Sequence, residues 1–173
     1  MAQPGRDDGW TLRAGTPDDA AAIAALIASY ADDLVLDRAQ AAPYLASVSE
    51  EAERGYLASP RYRYVVAEVV GIDDRPDAGR RGLAGFIAMR DTTHLFHLFV
   101  ERSWHRRGLA RVLWSHVRGE IDAAQPPRRH TVNSSLMAVP VYRAFGFAEI
   151  GPVMHGHGIA YVPMATAGAP AAA

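Results

Sequence analysis

The sequence predicts an α/β domain with one mixed sheet, and three observations carry that prediction. Strand-like and helix-like stretches follow one another in the order β α α β β β α β α β β, the pattern of helices packed on a shared sheet. His94 to Val100, HLFHLFV, is a continuous apolar run that suits a strand covered on both faces, and an amphipathic helix follows it. The 173 residues, 49% of them hydrophobic, fit one domain. A domain of this size buries on the order of 70% of the surface of its unfolded chain, so its core needs no metal or covalent staple.

Trp10 to Ala14 reads as a short strand. Thr16-Pro17-Asp18-Asp19 then opens a helix, with Thr as N-cap, Pro at the first helical position and acids facing the positive helix end. Ile23, Ile27 and Tyr30 follow at helical spacing. A second helix is expected from Pro43 to Leu57, while Asp32 to Gln40 fits helix or loop. Tyr62 to Val70 is β-rich, and Gly71 to Gly82 is a loop of turn residues before the returning strand Leu83 to Arg90. After Asp91-Thr92-Thr93 comes the apolar strand His94 to Val100, then a helix from Arg107 to Asp122. A Gln125-Pro126-Pro127 break precedes a strand at Arg129 to Asn133. A short helix over Ala138 to Phe145 stops at Gly146, and strands Ala148 to Ile150 and Ile159 to Met164 close the domain. The Gly/Pro/Ala-rich residues 1–9 and 165–173 are expected to be disordered tails around a domain spanning 10–164.

Composition narrows the function classes. There is no cysteine, which removes thiolate zinc sites, redox pairs and cysteine nucleophiles. Net charge is -1, with 18 basic residues, all Arg, against 19 acidic ones. Such a balance provides no global attraction to nucleic acid or an anionic membrane, so any bound anion must be gripped locally. The longest strongly apolar stretch, Ala20 to Ala28, is far shorter than a membrane span, and the first ten residues lack a signal-peptide apolar region. The expected location is the cytoplasm.

The local anion grip is at His105-Arg106-Arg107-Gly108-Leu109-Ala110, where a loop opens a helix directly after the apolar strand. Glycine permits a tight turn and close approach of a ligand to the backbone, and unpaired N–H groups at the helix start suit a pyrophosphate. Taken alone, such a segment is more often a solvated basic helix start after a β-turn.

In context the segment resembles motif A of the GNAT N-acetyltransferase family, Q/R-x-x-G-x-G/A, with His105 at the first position in place of the usual Gln or Arg. The later run from Val132-Asn133 to Tyr142-Arg143-Ala144-Phe145-Gly146-Phe147 is similar to the family's closing element, a strand-ending V-N and a helix ending Y-x-x-x-G-F. The resemblance covers Leu12 to Met164. It implies a single mixed, mostly antiparallel sheet, splayed at the acetyl-CoA site and flanked by about four helices. It implies that Leu98, Phe99 and Val100 pair with pantetheine, and that His105, Arg106, Arg107, Gly108, Leu109, Ala110 and Arg111 cradle the pyrophosphate. Asn133 would meet the cofactor, and Tyr142 would protonate the departing thiolate. The implied partners are acetyl-CoA and an amine acceptor, in a monomer or homodimer.

For a base, His94 falls where some family members carry a glutamate on this strand, and an imidazole with pKa about 6.5 accepts protons near neutrality. His97 points to the opposite face of a regular strand and reaches the site only if the strand bulges. Both histidines are equally readable as buried imidazoles bonded to backbone, and proton removal through water needs neither. His155 and His157 lack a third metal ligand at a sensible spacing, so no metal is expected and their segment reads as a loop at the substrate mouth. Acidic Asp32, Asp33, Asp37, Glu50, Glu51 and Glu53 with Tyr30, Tyr44 and Tyr56 would suit a cationic amine at that mouth, or form a solvated helix face. A small-molecule amine and a peptide N-terminus both remain open as acceptor. A non-catalytic acyl-CoA sensor on the same fold is the alternative function.

Overall fold

The computed structural model describes residues 9–69, 82–124 and 128–168. Most of the Gly71 to Gly82 loop, the Gln125-Pro126-Pro127 break and the outer parts of both expected tails lie outside them. Strand β1 spans Trp10–Ala14, and a 3₁₀ turn at Pro17–Asp19 leads into helix α1, Ala20–Ala28. The Thr16 N–H donates to the Asp19 carboxylate at 2.8 Å, which fixes this start as its sequence predicts. Helix α2 is one turn, Ala31–Leu34. The rest of Asp32 to Gln40 is loop, held where the Leu36 and Asp37 N–H groups donate to the Gly158 carbonyl at 2.7 and 3.1 Å.

The single helix expected from Pro43 to Leu57 is two, α3 (Ala42–Ser47) and α4 (Glu50–Ala58). The break has a local cause. Val48 turns inward to be buried, and Ser49 takes extended backbone so that its hydroxyl accepts from the Ala52 N–H and caps α4.

The remaining elements are β2 (Tyr62–Val69), β3 (Leu83–Arg90), β4 (His94–Val100), α5 (Leu109–Ala124), β5 (Thr131–Ser135), α6 (Val139–Ala144), β6 (Phe147–Glu149), β7 (Met154–Gly156) and β8 (Ile159–Thr166). They form one eight-stranded sheet in the order β1-β2-β3-β4-β5-β8-β6, with β7 paired to β8. Only β4 and β5 run parallel among the described pairs. The mixed, mostly antiparallel sheet expected from the sequence is therefore present. Helices α1 and α4 cover one face, over Tyr64, Val66 and Phe86. Helix α5 covers the other, its Leu109, Leu113 and Val117 packed with Leu95, Val132 and Met164. No helix among the described residues is long and apolar enough to cross a membrane.

Several boundaries depart from expectation. Strand β8 runs two residues past Met164, because Ala165 is buried and the Thr166 N–H donates to the His130 carbonyl at 2.9 Å. Both residues belong to the sheet and not to the tail. Strand β5 begins at Thr131 and runs to Ser135, and the expected loop at His155 to Gly158 is the tip of a β7–β8 hairpin. Within β4 only Leu95 and Val100 are buried, fewer than a strand covered on both faces requires. The reason is a gap that opens between β4 and its neighbour β5.

Candidate active site

Strand β4 pairs with β5 only at His94/Thr131 and Leu95/Val132. Past Leu95 the two strands part, while β4 stays paired with β3 as far as Val100/Gly85. The Glu101 N–H donates to the Ala84 carbonyl at 2.8 Å. Antiparallel alternation then turns the N–H groups of Phe99 and His97 to β3 as well, and aims those of Leu98 and Val100 into the gap. Gly85 keeps β3 and β4 this close: a Cβ there would lie 2.8 Å from the Phe99 carbonyl oxygen.

After β4 the chain passes through a 3₁₀ turn at Arg102–Trp104 and then through two left-handed residues, Arg106 at φ 62° and Gly108 at φ 83°. No atom lies within 4 Å of a Cβ built on Gly108, so the dihedral and not crowding calls for glycine. The turn delivers the chain into α5, where the Val112 N–H donates back to the Gly108 carbonyl at 3.1 Å. The N–H groups of Leu109, Ala110 and Arg111 precede that first bond and stay open at the positive helix end. Arg106 and Arg111 flank the same opening, and the Arg111 guanidinium also sits 5.4 Å from the Phe145 ring.

His105 is used differently from the residue it replaces in the motif. Its Nε2 lies 2.9 Å from the Val100 carbonyl and 2.6 Å from the Tyr30 hydroxyl, which itself donates to that carbonyl at 2.6 Å. All three contacts are satisfied when Nε2 carries the proton and donates. The ring thus latches the end of β4 to the chain just after α1.

Splayed strand, helix start and α6 enclose a cleft of about 880 Å³. Every site residue expected from the sequence lines it except Arg107, whose guanidinium lies over the Trp104 ring at 4.8 Å. Tyr142 is 6% exposed, and its hydroxyl has no hydrogen bond among the described residues. Burial pushes the phenol above its ordinary pKa, so it stays protonated at neutral pH. Asn133 is exposed on the β5 side of the cleft.

The model of the Acetyltransferase (GNAT) domain matches residues 29–167, most of the chain and all of this cleft's floor. The chain belongs to the GNAT acetyltransferase family. Solved structures agree on the fold. A GCN5-related N-acetyltransferase from Rhodopseudomonas palustris superposes with a TM-score of 0.70 at 20% identity, covering 91% of this chain and 94% of that one. The PaiA N-acetyltransferase of Thermoplasma acidophilum, solved with coenzyme A, gives 0.66 at 12% identity over 91% and 98%. A point mutant of the spermidine N-acetyltransferase SpeG of Vibrio cholerae gives 0.60 at 17% over 92% and 94%. No curated protein sequence matches the chain.

Within this GNAT fold the two histidines of β4 have different surroundings. His97 pairs with Ala88 and Leu95 with Met89, which leaves Phe96 as an extra residue on β4. This is the bulge that His97 requires to change face. Its ring lies 6.2 Å from Phe86 and 6.0 Å from Phe99, on the α1–α4 side. There Nε2 is 3.1 Å from Oε1 of Glu53, and the Tyr64 hydroxyl donates to the other oxygen at 2.7 Å. Glu53 is 0% exposed. His94 instead has Nδ1 2.9 Å from the Thr131 hydroxyl. Burial first, then the charges of Arg90 and His97, push its pKa down to about 4. His94 is therefore a neutral and weak base at pH 7, not one poised near neutrality.

The acidic mouth is absent. Asp32 pairs with Arg38, Asp33 with Arg102 and Glu50 with Arg54, and no acid lines the cleft among the described residues. Glu53, read with those acids, is instead a buried partner. Its spacing from Tyr56 and Leu57, three and four residues on, was the available signal, because it shares their helix face. His155 and His157 are exposed on the β7–β8 hairpin, and no metal-ligand cluster exists among the described residues.

Proposed function

We propose that this GNAT protein transfers an acetyl group from acetyl-CoA directly to a primary amine. The observation that carries the reading is the splay of β4 from β5 beside the open start of α5, since it joins an unpaired strand edge to an anion site in one cleft. A pantetheine arm, with its own amide groups, complements the free N–H groups of Leu98 and Val100. A pyrophosphate complements the Leu109 to Arg111 amides, with Arg106 and Arg111 adding charge. Acetyl-CoA supplies the thioester that makes the acetyl group transferable.

The chain's own groups then meet the needs of the reaction. The amine nitrogen bonds to the carbonyl carbon as the carbon–sulfur bond breaks. The sulfur takes its proton from Tyr142, whose burial holds that proton at neutral pH until a thiolate is formed. The Val100 N–H polarises the carbonyl. The amine's proton passes to His97. With the Tyr64 hydroxyl donating to one Glu53 oxygen, the other oxygen accepts from His97, which fixes the His97 proton on Nε2 and leaves Nδ1 as the accepting nitrogen. With no cysteine in the chain to carry the acetyl group, direct transfer is the simplest sequence.

The test is release of free thiol from acetyl-CoA across an amine panel, alongside thermal shifts with acetyl-CoA and with NAD. Thiol release and stabilisation by acetyl-CoA but not NAD are expected. Stabilisation without thiol release from any amine identifies an acyl-CoA sensor instead.

A further inference from the structure

The cleft carries positive charge at both ends. Arg106 and Arg111 belong to the α5 end, and Arg90, at the close of β3, belongs to the other. Arg90 makes no hydrogen bond or close ion pair with a carboxylate among the described residues, and its charge acts on the neighbouring Asp91 only at longer range. The adjacent Asp91 is taken by Arg61, through two hydrogen bonds of 2.9 and 2.7 Å. The Arg90 guanidinium carbon lies 5.7 Å from the centroid of the Phe96 ring. A guanidinium presents its N–H donors in a planar fork that a carboxylate matches.

The same ring also contacts the proposed base. Phe96 lies 4.0 Å, centroid to centroid, from His97. Arg90 and His97 both line the cleft around Phe96, where one acceptor that carries both a carboxylate and an amine can present a group to each. Tyr44, Tyr56 and Tyr161 form apolar wall around them. A polycation would meet Arg90 with no acidic side chain in the lining to offset it.

Resting on the acetyltransferase reading, we propose that the acceptor is an amino acid-class amine, whose carboxylate pairs with Arg90 and whose apolar or aromatic body lies against the tyrosine wall. The test compares the standard amino acids, their decarboxylated amines and spermidine as acceptors with wild type, Arg90→Lys and Arg90→Gln. Thiol release is one readout, and calorimetric binding of the same compounds to the CoA-saturated protein is the other. The preferred amino acid is expected to exceed its decarboxylated amine by about ten- to hundredfold in kcat/KM, the range of a hydrogen bond to a charged group. Arg90→Gln should bring that ratio close to one, with Arg90→Lys between. Equal or better use of decarboxylated amines or spermidine overturns the inference while leaving acetyl transfer standing. So does an equal loss for acid and amine in Arg90→Gln. Binding that depends on both carboxylate and Arg90, without thiol release from any acceptor, supports the anion site and refutes acetyl transfer. Absence of binding and of turnover by every amino acid overturns the inference.

Discussion

Glu53→Gln keeps the shape of the buried side chain and exchanges one acceptor oxygen for a donor amide. The Tyr64 hydroxyl, now donating at 2.7 Å, still needs an oxygen, so the amide oxygen turns to it. The NH₂ group then faces His97 Nε2, which stands 3.1 Å from the carboxylate, and can only be accommodated as a donor to it. Nε2 becomes an acceptor, the ring proton moves to Nδ1, and the nitrogen assigned to the amine is blocked. Both hydrogen bonds survive, so stability should change by no more than about 1 kcal/mol. Turnover should fall by roughly 10²- to 10⁴-fold, the usual contribution of a general base, or about 3–5 kcal/mol of barrier. Tyr64→Phe is the control. It leaves a carboxylate oxygen without its donor and should cost about 1–3 kcal/mol of stability, yet it keeps the His97 tautomer and most of the activity. Denaturant unfolding and thiol release at saturating acetyl-CoA measure the two effects. A folded Glu53→Gln protein with wild-type turnover would refute the role given to His97.

Acid should destabilise the protein over a window set by two histidines. His94 titrates at about 4 in the folded state, and the buried His130, whose ring nitrogens have no hydrogen bond among the described residues, is also pushed down by burial. Unfolded imidazoles bind protons below about pH 6.5, so the unfolded state gains protons first and stability falls as pH drops from about 6.5 toward 4. His94 contributes at most about 3 kcal/mol, reduced to about 1–2 kcal/mol by solvent screening at a half-buried site. Unfolding midpoints at pH 7.5, 5.5 and 4.5 check the trend, and His94→Gln should flatten it. Gly85→Ala places a methyl 2.8 Å from the Phe99 carbonyl oxygen, against backbone that cannot rotate away. A stability loss of about 1–3 kcal/mol and weaker acetyl-CoA binding by calorimetry are expected, because the strain falls on the Leu98 to Val100 segment.

The parts of the site legible in the sequence are those determined locally. A β-rich run, a turn with Gly108 and an apolar-periodic helix sit within twenty-odd consecutive residues, so the strand, the turn and the open helix start could be placed without knowing the rest. The proposed catalytic flank was not legible because it depends on pairings far apart in the chain. His97 faces Glu53 only through the Phe96 bulge, which is set by register against β3. Glu53 sits buried on a helix that starts anew at the Ser49 cap, an event that competes with continuous helical spacing. Strand β8 continues past the expected end at Met164 to Thr166, through partners in β5 and β6. Asp32, Asp33 and Glu50 are paired with nearby arginines, and Arg90, Arg106 and Arg111, with no acid in the lining among the described residues, give the cleft its sign instead.

The central claim is that β4 and α5 hold a thioester beside a phenol that returns a proton to its sulfur. Tyr142→Phe tests it most directly. The hydroxyl is removed from a buried ring that makes no hydrogen bond among the described residues, so the fold should be left intact. At saturating acetyl-CoA with the best acceptor, thiol release should fall by roughly 10²-fold or more, while the calorimetric Kd for acetyl-CoA stays within about threefold of wild type. Full turnover by Tyr142→Phe, at unchanged affinity, would contradict the account.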